Sequence, residues 1–212
     1  MRGQTEPDYR LAVAALIDTD PDLARAVAAY GQPAYWHRPP GFAALVLLIL
    51  EQQVSLASAA AAFHHLRTRV GEITPRSVLE SSDGDLRADG FSRQKTRYAR
   101  LLAEAVLTGT FDLDGLAGVS DEEARHRLVA LTGIGPWTAD VYLLACLRRP
   151  DLWPTADRAL QVGTREVLGL AAAPSPPQLE MIGARWRPHR STAARLIWHS
   201  YLTRRGRTET VF

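Results

Sequence analysis

Leu131–Leu160, LTGIGPWTADVYLLACLRRPDLWPTADRAL, is the stretch that decides how this chain folds. It opens on the turn Gly133-Ile134-Gly135, and Pro136 and a run of apolar residues follow. Glycine reaches backbone angles that other residues avoid, and proline fits the first position of a helix. The pattern therefore predicts a helix, a tight turn and a second helix that begins at Pro136.

The start of that second helix could bind an anion. The first N–H groups of a helix have no acceptor inside it, and together with the helix dipole they attract a phosphate. Carbonyl groups on the other side of the turn could hold a monovalent cation between the protein and the phosphate. A plain connection between two helices would show the same glycines, so the turn alone does not establish a phosphate site.

The rest of the chain also predicts helices. Phe42–Leu50 is apolar on every side, as a buried helix is. A helix from Thr74 is expected to stop near Gly84, and Asp157 is placed in the first turn of a later helix. No segment shows the pattern of a strand, so the sequence predicts an all-α protein of about ten helices.

Composition excludes several classes of protein. No apolar run reaches the roughly 18 residues that a membrane span requires, and the first ten residues lack the apolar core of a signal peptide. The single cysteine, Cys146, excludes a disulfide framework, a four-cysteine iron–sulfur cluster and a cysteine-based zinc site. We therefore expect a cytoplasmic or nucleoid protein.

The cationic side chains are clustered although the net charge of the 212 residues is only +2. Lys95 is the only lysine, and the other cations are arginines, whose forked donors suit phosphates. One cluster follows Gly90, and the other lies near the end of the sequence: Arg93, Lys95, Arg97, Arg100; Arg185, Arg187, Arg190, Arg195, Arg204, Arg205, Arg207. A solvated helix face would account for either cluster equally well.

Five motifs, in chain order, resemble those of one enzyme family. They are Ile49-Leu50-Glu51-Gln52-Gln53-Val54-Ser55, Gly90-Phe91-Ser92-x-x-Lys95, Leu131-x-Gly133-Ile134-Gly135-x-x-Thr138-Ala139, Pro154-x-x-Asp157-x-Ala159-Leu160, and Arg185-Trp186-Arg187-Pro188-x-Arg190-Ser191 with Leu196-Ile197-Trp198. Together they resemble the helix-hairpin-helix (HhH-GPD) base-excision DNA glycosylases, in particular the alkylpurine branch, 3-methyladenine DNA glycosylase II.

The resemblance implies a two-lobed helical bundle with a DNA-binding cleft between the lobes. We expect residues 1–212 to form one glycosylase domain. Its sub-lobes would be a middle bundle, 41–150, and a terminal bundle of 1–40 with 151–212. Residues 1–40 are too short and too helical for the N-terminal β domain of some relatives, so none is expected.

The resemblance makes Asp157 the catalytic carboxylate, which would stabilise positive charge on the sugar as the base leaves. By position alone, Asp157 would more simply cap a helix or pair with Arg158. Some relatives cut the DNA backbone with a lysine two residues after the second hairpin glycine. Trp137 stands at that position, which implies a glycosylase without lyase activity.

The resemblance also implies an aromatic pocket for a cationic base, because a cation is drawn to the face of an electron-rich ring. Trp137 and Trp198 match its aromatic positions. His199 and Val141 stand where other aromatics can occur, and Tyr142 is one residue off. The pocket is therefore expected to be less aromatic than that of its relatives.

The remaining implied contacts are with DNA and with a cation. Gln53 would fill the gap that a flipped base leaves. The phosphate-binding residues would be Gly133, Gly135, Thr138, Lys95 and Arg190. A structural Na⁺ or K⁺ could bind the backbone carbonyls of Val129, Leu131 and Ile134.

We expect a monomer that binds duplex DNA carrying an alkylated base such as 3-methyladenine or 7-methylguanine. It would need no cofactor, hold no iron–sulfur cluster and bind no membrane. Two alternatives stay open at this point: a glycosylase for deaminated, oxidised or mismatched bases, and a non-catalytic module that binds damaged DNA.

Overall fold

The computed structural model describes residues 3–207, and within that range the chain is helical without a β-strand. Its α-helices are α1 Glu6–Thr19, α2 Pro21–Tyr30, α3 Phe42–Glu51, α4 Leu56–Val70, α5 Pro75–Glu80, α6 Asp83–Ala88, α7 Arg93–Leu107, α8 Asp121–Val129, α9 Pro136–Ala145, α10 Arg158–Leu168, α11 Pro176–Gly183 and α12 Arg190–Thr203. Two short 3-10 helices are Asp114–Gly118 and Ala184–Trp186. The prediction of an all-α fold is confirmed.

Polar side chains fix where the helices begin. Oδ1 of Asp20 accepts from the N–H groups of Asp22 and Leu23, at 2.9 and 3.1 Å, at the start of α2. The hydroxyls of Ser55 and Ser92 accept in the same way in the first turns of α4 and α7. Such caps satisfy N–H groups that the first turn of a helix leaves without partners.

The single helix predicted from Thr74 to Gly84 is wrong, because the segment forms α5 and α6. Ser82 and Asp85 form a capping box, in which each side chain accepts from the backbone N–H of the other. This box starts a new helix, α6, soon after α5 ends, and Gly84 lies inside α6. A local hydrogen-bond pattern therefore outweighs the low helix propensity of glycine here.

The described residues divide into two compact units, and the division falls within α9. The first unit is residues 38–142, and the second is residues 3–37 with 143–207. In the first unit α4 and α7 pack against α3. At the end of α3 the guanidinium of Arg38 donates to both oxygens of Glu51, at 2.9 and 2.8 Å, and both side chains are buried. Each charge thus has the partner that burial demands.

In the second unit α12 packs against α1, α2 and α10. The approach to α10 is close at Gly163, where an added Cβ would lie 2.7 Å from Cγ2 of Ile197. Arg205, two residues beyond the end of α12, donates to Glu166 of α10 at 2.7 Å. This hydrogen bond lowers the pKa of the Glu166 carboxyl, so its stabilising effect is present above the unfolded pKa and is lost as the pH falls.

Two tryptophans lie in the core of the second unit. Trp153 and Trp186 are almost fully buried, with ring centroids 5.1 Å apart in an edge-to-face arrangement. Each indole N–H has an acceptor, the carbonyl of Leu179 for Trp153 and Oδ2 of Asp20 for Trp186, both at 2.8 Å. Both side chains therefore serve to pack the core, in an arrangement that aromatic pairs favour.

Among residues 3–207, none of the helices combines the length and apolarity that crossing a membrane requires. The strongly apolar α3 has ten residues, and all of them except Ala43 are buried.

Candidate functional site

The glycine turn has the geometry that the sequence predicts. It links α8 to α9 through two tight hydrogen bonds: the N–H of Leu131 donates to the Leu128 carbonyl at 3.1 Å, and that of Ile134 to the Leu131 carbonyl at 3.0 Å. Gly133 has φ 93°, and a side chain on it would clash with the ring of Tyr98 on α7. Only glycine meets both requirements.

The first turn of α9 follows directly. The carbonyl of Gly135 accepts from the N–H of Ala139 at 3.0 Å, which begins the hydrogen-bond ladder of the helix. Thr138 is buried in this turn, and its hydroxyl accepts from Gln52. The first N–H groups and the dipole of a helix attract an anion, so this end of α9 suits a phosphate.

The predicted cation ligands lie at this turn. Val129 ends α8, Leu131 is half-buried, and Ile134 is buried with 3% exposure. The Leu131 carbonyl accepts from Ile134, and a carbonyl oxygen has a second lone pair for a cation. Neutral oxygen donors from one turn fit Na⁺ or K⁺, and the cation stays a prediction. No cluster of His, Cys, Asp or Glu side chains within residues 3–207 is suited to a metal.

The loop between α3 and α4 carries the predicted wedge. We define the wedge loop as residues 52–55. Gln53 is exposed and has φ 58°, a left-handed conformation that a residue with a side chain rarely adopts. Val54 beside it is 45% exposed. The loop therefore presents two side chains to solvent from a sharply bent backbone.

Lys95, predicted to contact a phosphate, has a partner inside the protein. Its Nζ donates to the carbonyl of Leu50 at 2.6 Å, near the end of α3, where a cation also meets the negative end of the helix dipole. Burial lowers the pKa of this ammonium. Lys95 thus fixes the start of the wedge loop, and its contact with DNA stays a prediction.

Asp157 is the N-cap of α10 rather than a residue of its first turn, which corrects the predicted position. Its Oδ1 accepts from the N–H of Leu160 at 2.6 Å and from the indole N–H of Trp198 at 3.0 Å. The carboxylate is half-buried and held from two sides, by its own helix and by α12. Asp157 therefore does cap α10, and it also accepts a hydrogen bond from Trp198 on α12.

The loop that leads to Asp157 is anchored to the start of α12. The hydroxyl of Ser191 donates to the Arg149 carbonyl at 2.6 Å and accepts from the Leu152 N–H at 2.9 Å. Arg190 donates through Nε to Oδ1 of Asp151 at 2.9 Å. Arg190, which was predicted to bind DNA, therefore has a structural role in holding this loop; its phosphate contact stays a prediction.

The predicted pocket residues are distributed over both units. In the first unit Trp137 is half-buried, whereas Val141 and Tyr142 are buried, and the Tyr142 hydroxyl accepts from the N–H of Gly41 at 3.0 Å. In the second unit Trp198 and His199 are half-buried. A ring nitrogen of His199 lies 3.0 Å from the carbonyl of Tyr30. Packing alone explains Val141 and Tyr142, and their contact with a base stays a prediction.

The sequence did not reveal three features of the site: the tie from Gln52 to the hairpin, the packing of Tyr98 on Gly133, and the bond from Trp198 to Asp157. Each joins residues at least 35 positions apart, so no local spacing indicates it. The one sequence signal for any of these contacts was that Gln52 lies in the motif Ile49–Ser55.

Comparison with known proteins places these features in a family. The profile of the HhH-GPD superfamily base excision DNA repair proteins matches residues 46–188. The Bacillus subtilis protein YfjP is 32% identical over 126 residues, 59% of this chain and 44% of that protein. DNA-3-methyladenine glycosylase 1 of Schizosaccharomyces pombe is 28% identical over 158 residues, 73% of this chain and 69% of that enzyme.

The fold of a solved relative agrees. The structure of the Schizosaccharomyces pombe 3-methyladenine DNA glycosylase Mag1 in complex with abasic DNA superposes with a TM-score of 0.81. The two chains are 26% identical, and the superposition covers 88% of this chain and 94% of the other. With a profile match over most of its length and the hairpin and aspartate in place, this chain belongs to the HhH-GPD superfamily of base excision DNA repair proteins.

Proposed function

We propose that this protein is a DNA glycosylase that hydrolyses the N-glycosidic bond of alkylated purines in duplex DNA during base-excision repair. The substrates would be bases of the 3-methyladenine and 7-methylguanine type. The observation that carries the proposal is the Asp157 carboxylate, held by the Leu160 N–H and the Trp198 indole, at the family's aspartate position. The names of the relatives support the substrate class.

The chemistry follows from the charge that bond cleavage creates. The damaged base must first leave the stack, because its glycosidic bond is inaccessible inside a duplex. As the bond between C1′ and the base nitrogen breaks, its electron pair goes to the base, and the sugar ring gains positive charge. The Asp157 carboxylate stabilises that charge and orients water, which adds to C1′ and loses a proton.

Alkylation of the base reduces the catalysis that the protein must supply. An alkylated purine of this type carries a positive charge, so it leaves as a neutral base without needing a proton. An acid to protonate the base is therefore unnecessary, and a single carboxylate suffices. The half-buried ring of Trp137 and that of Trp198 supply electron-rich surfaces that favour a cationic base.

We also propose that the enzyme does not cut the DNA backbone. Backbone cleavage by elimination needs an amine that forms a Schiff base with the sugar. Trp137 occupies the position of that amine in the hairpin motif. The one lysine, Lys95, donates to the Leu50 carbonyl from within the first unit.

The hairpin and the wedge loop would hold the duplex. Glycine amides and the start of α9 suit a phosphate group, and Gln53 is exposed on a bent backbone as an inserted side chain would be. Arg93 and Arg97 on α7 are exposed and available for further phosphates.

A panel of lesion duplexes tests the proposal directly. Wild-type protein should release free 3-methyladenine and 7-methylguanine, and Asp157→Asn should lower the single-turnover rate at least about a thousandfold, since it removes the charge that stabilises the transition state. The products should contain abasic sites without strand breaks until alkali is added.

Other outcomes would contradict specific parts of the proposal. Release of hypoxanthine, uracil or 8-oxoguanine in preference to alkylated purines would make the substrate class wrong. Tight lesion binding without release of any base would identify a damage-binding module. Strand breaks before alkali treatment would contradict the absence of lyase activity.

A further inference from the structure

One side chain ties the hairpin to the loop that carries the wedge residue. Nε2 of Gln52 donates to the carbonyl of Gly133 at 2.9 Å and to the hydroxyl oxygen of Thr138 at 3.0 Å. A backbone carbonyl only accepts hydrogen bonds, so the amide nitrogen of Gln52 must face it. Both N–H groups of this amide are therefore used, one on the glycine turn and one on the first turn of α9.

The tie lies next to the residue that would enter the DNA. Gln52 is the C-cap of α3, and Gln53 follows it with φ 58° and an exposed side chain. The positive φ directs the two neighbouring side chains differently: Gln52 binds the hairpin, and Gln53 faces solvent. Lys95 fixes the preceding turn through the carbonyl of Leu50.

The hairpin end of the tie is rigid. The ring of Tyr98 fills the space beside Gly133, and Thr138 is buried with 1% exposure. A rigid partner on one side and a short, bent backbone on the other leave the 52–53 segment little freedom. The glycine turn and the residue that precedes Gln53 are therefore joined through one amide group.

We propose that Gln52 is a positioning residue that couples phosphate binding at the hairpin to insertion of Gln53 into the duplex. When the hairpin holds a phosphate, the amide of Gln52 sets the depth and direction of Gln53, so the gap left by the flipped base is filled without a search by a mobile loop. This inference rests on the proposed function, because it assumes that the hairpin binds DNA and that Gln53 enters it.

A double-mutant cycle with a non-catalytic readout tests the coupling. The probe is a duplex that carries 2-aminopurine opposite a tetrahydrofuran abasic analogue, since the fluorescence of the orphaned base reports insertion. Gln52→Leu leaves an apolar side chain of comparable volume and removes both donors. We expect it to lower the insertion equilibrium about tenfold, a coupling within the range for residues in contact.

The diagnostic result is non-additivity. Gln53→Ala should abolish most insertion by itself, and Gln52→Leu should add little in that background. Thr138→Val removes one of the two acceptors and should give a smaller loss, and Thr138→Ser, which keeps the hydroxyl, should recover it. Val78→Ala, a core truncation on α5 of the same unit, controls for lost stability and should combine additively with Gln53→Ala.

The failure of this inference and that of the proposed function look different. Additive effects of Gln52→Leu and Gln53→Ala, with normal base release by the wild type, would limit Gln52 to a structural role and overturn the coupling. If Gln53 inserts but no base is released from any lesion, the proposed function is overturned. The double-mutant cycle can still be interpreted in that case, because its readout is insertion. A wild type that does not insert Gln53 would overturn the coupling even if it releases base.

Discussion

At the scale of single residues, Trp198 can act in two ways that the structure makes separable. Its ring suits a cationic base, and its indole N–H donates to Oδ1 of Asp157 at 3.0 Å. The hydrogen bond acts on the carboxylate, whatever base is bound, whereas the ring face acts on the base. A substitution that keeps a ring and removes the N–H therefore distinguishes positioning of Asp157 from base recognition.

Trp198→Phe should slow base release about ten- to a hundredfold, as expected for the loss of a hydrogen bond to a charged group. Because the lost contact is with Asp157, the decrease should be similar for 7-methylguanine and for a neutral lesion such as hypoxanthine. Single-turnover rates on both duplexes at saturating enzyme measure this, and affinity for an abasic analogue should change little.

Trp153→Phe is the matched control, because it removes an indole N–H bond to the Leu179 carbonyl in the same unit. It should lower the melting temperature and leave the rate at saturating enzyme close to that of the wild type. A Trp198→Phe enzyme that loses only the excision of cationic bases would assign the residue to base recognition instead.

At the scale of helices, the pair α10 and α12 determines the geometry of the carboxylate. Asp157 caps α10 and Trp198 lies on α12, so the distance between the two helices sets the length of their hydrogen bond. Gly163 permits the close approach, since a Cβ there would lie 2.7 Å from Cγ2 and 3.2 Å from the carbonyl oxygen of Ile197.

Gly163→Ala should therefore destabilise the protein by about 1–3 kcal/mol, the usual cost of overpacking, and should slow base release as well. Urea unfolding and single-turnover rates measure the two effects. Glu166→Gln is the comparison, because it removes the ion pair between α10 and Arg205, which follows α12, and adds no bulk between the two helices. If both variants lose stability and neither loses rate, helix spacing does not control Asp157.

Helix starts could be predicted from the sequence because their causes are local. Asp20, Ser55 and Ser92 each cap the helix that begins one residue later, as their patterns indicate. The error at α5 and α6 has a local cause as well: Gly84 suggests an end, and the box of Ser82 with Asp85 overrides it.

The site was predictable only in part, for a physical reason. Asp157 and the hairpin glycines lie in recognisable motifs, whereas the contacts that orient them join residues distant in sequence. Gln52 reaches Gly133 over 81 positions, and Trp198 reaches Asp157 over 41. Such contacts depend on how helices pack, which the spacing within one motif does not encode.

At the scale of the whole molecule, the residues proposed for DNA binding and the residue proposed for chemistry belong to different units. The hairpin and the wedge loop belong to residues 38–142, and Asp157 belongs to the other unit. Asp157→Asn should therefore abolish base release and keep affinity for an abasic-analogue duplex within a few fold. Gly133→Ala should weaken that affinity at least about tenfold, because φ 93° and the Tyr98 ring both oppose a side chain.

Fluorescence anisotropy gives the affinities, and single-turnover rates at saturating enzyme give the chemistry. Addition of Tyr98→Ala to Gly133→Ala should recover part of the affinity by removing the ring contacts, while the contact with the Cβ of residue 98 at 2.7 Å and the strain of the positive φ remain. An Asp157→Asn protein that binds as poorly as Gly133→Ala would show that the two functions are not divided in this way.

The second unit is built from two separate segments of the chain, residues 3–37 and 143–207, and this has a consequence for synthesis on the ribosome. Its first helices, α1 and α2, pack against α12, which ends at Thr203. At about 5–20 residues per second, translation leaves the apolar faces of α1 and α2 without α12 for roughly ten seconds or longer. The first unit, by contrast, is one continuous segment and can fold as soon as α9 emerges. We expect the nascent chain to depend on a chaperone during that interval, and to do so less once α12 has been translated.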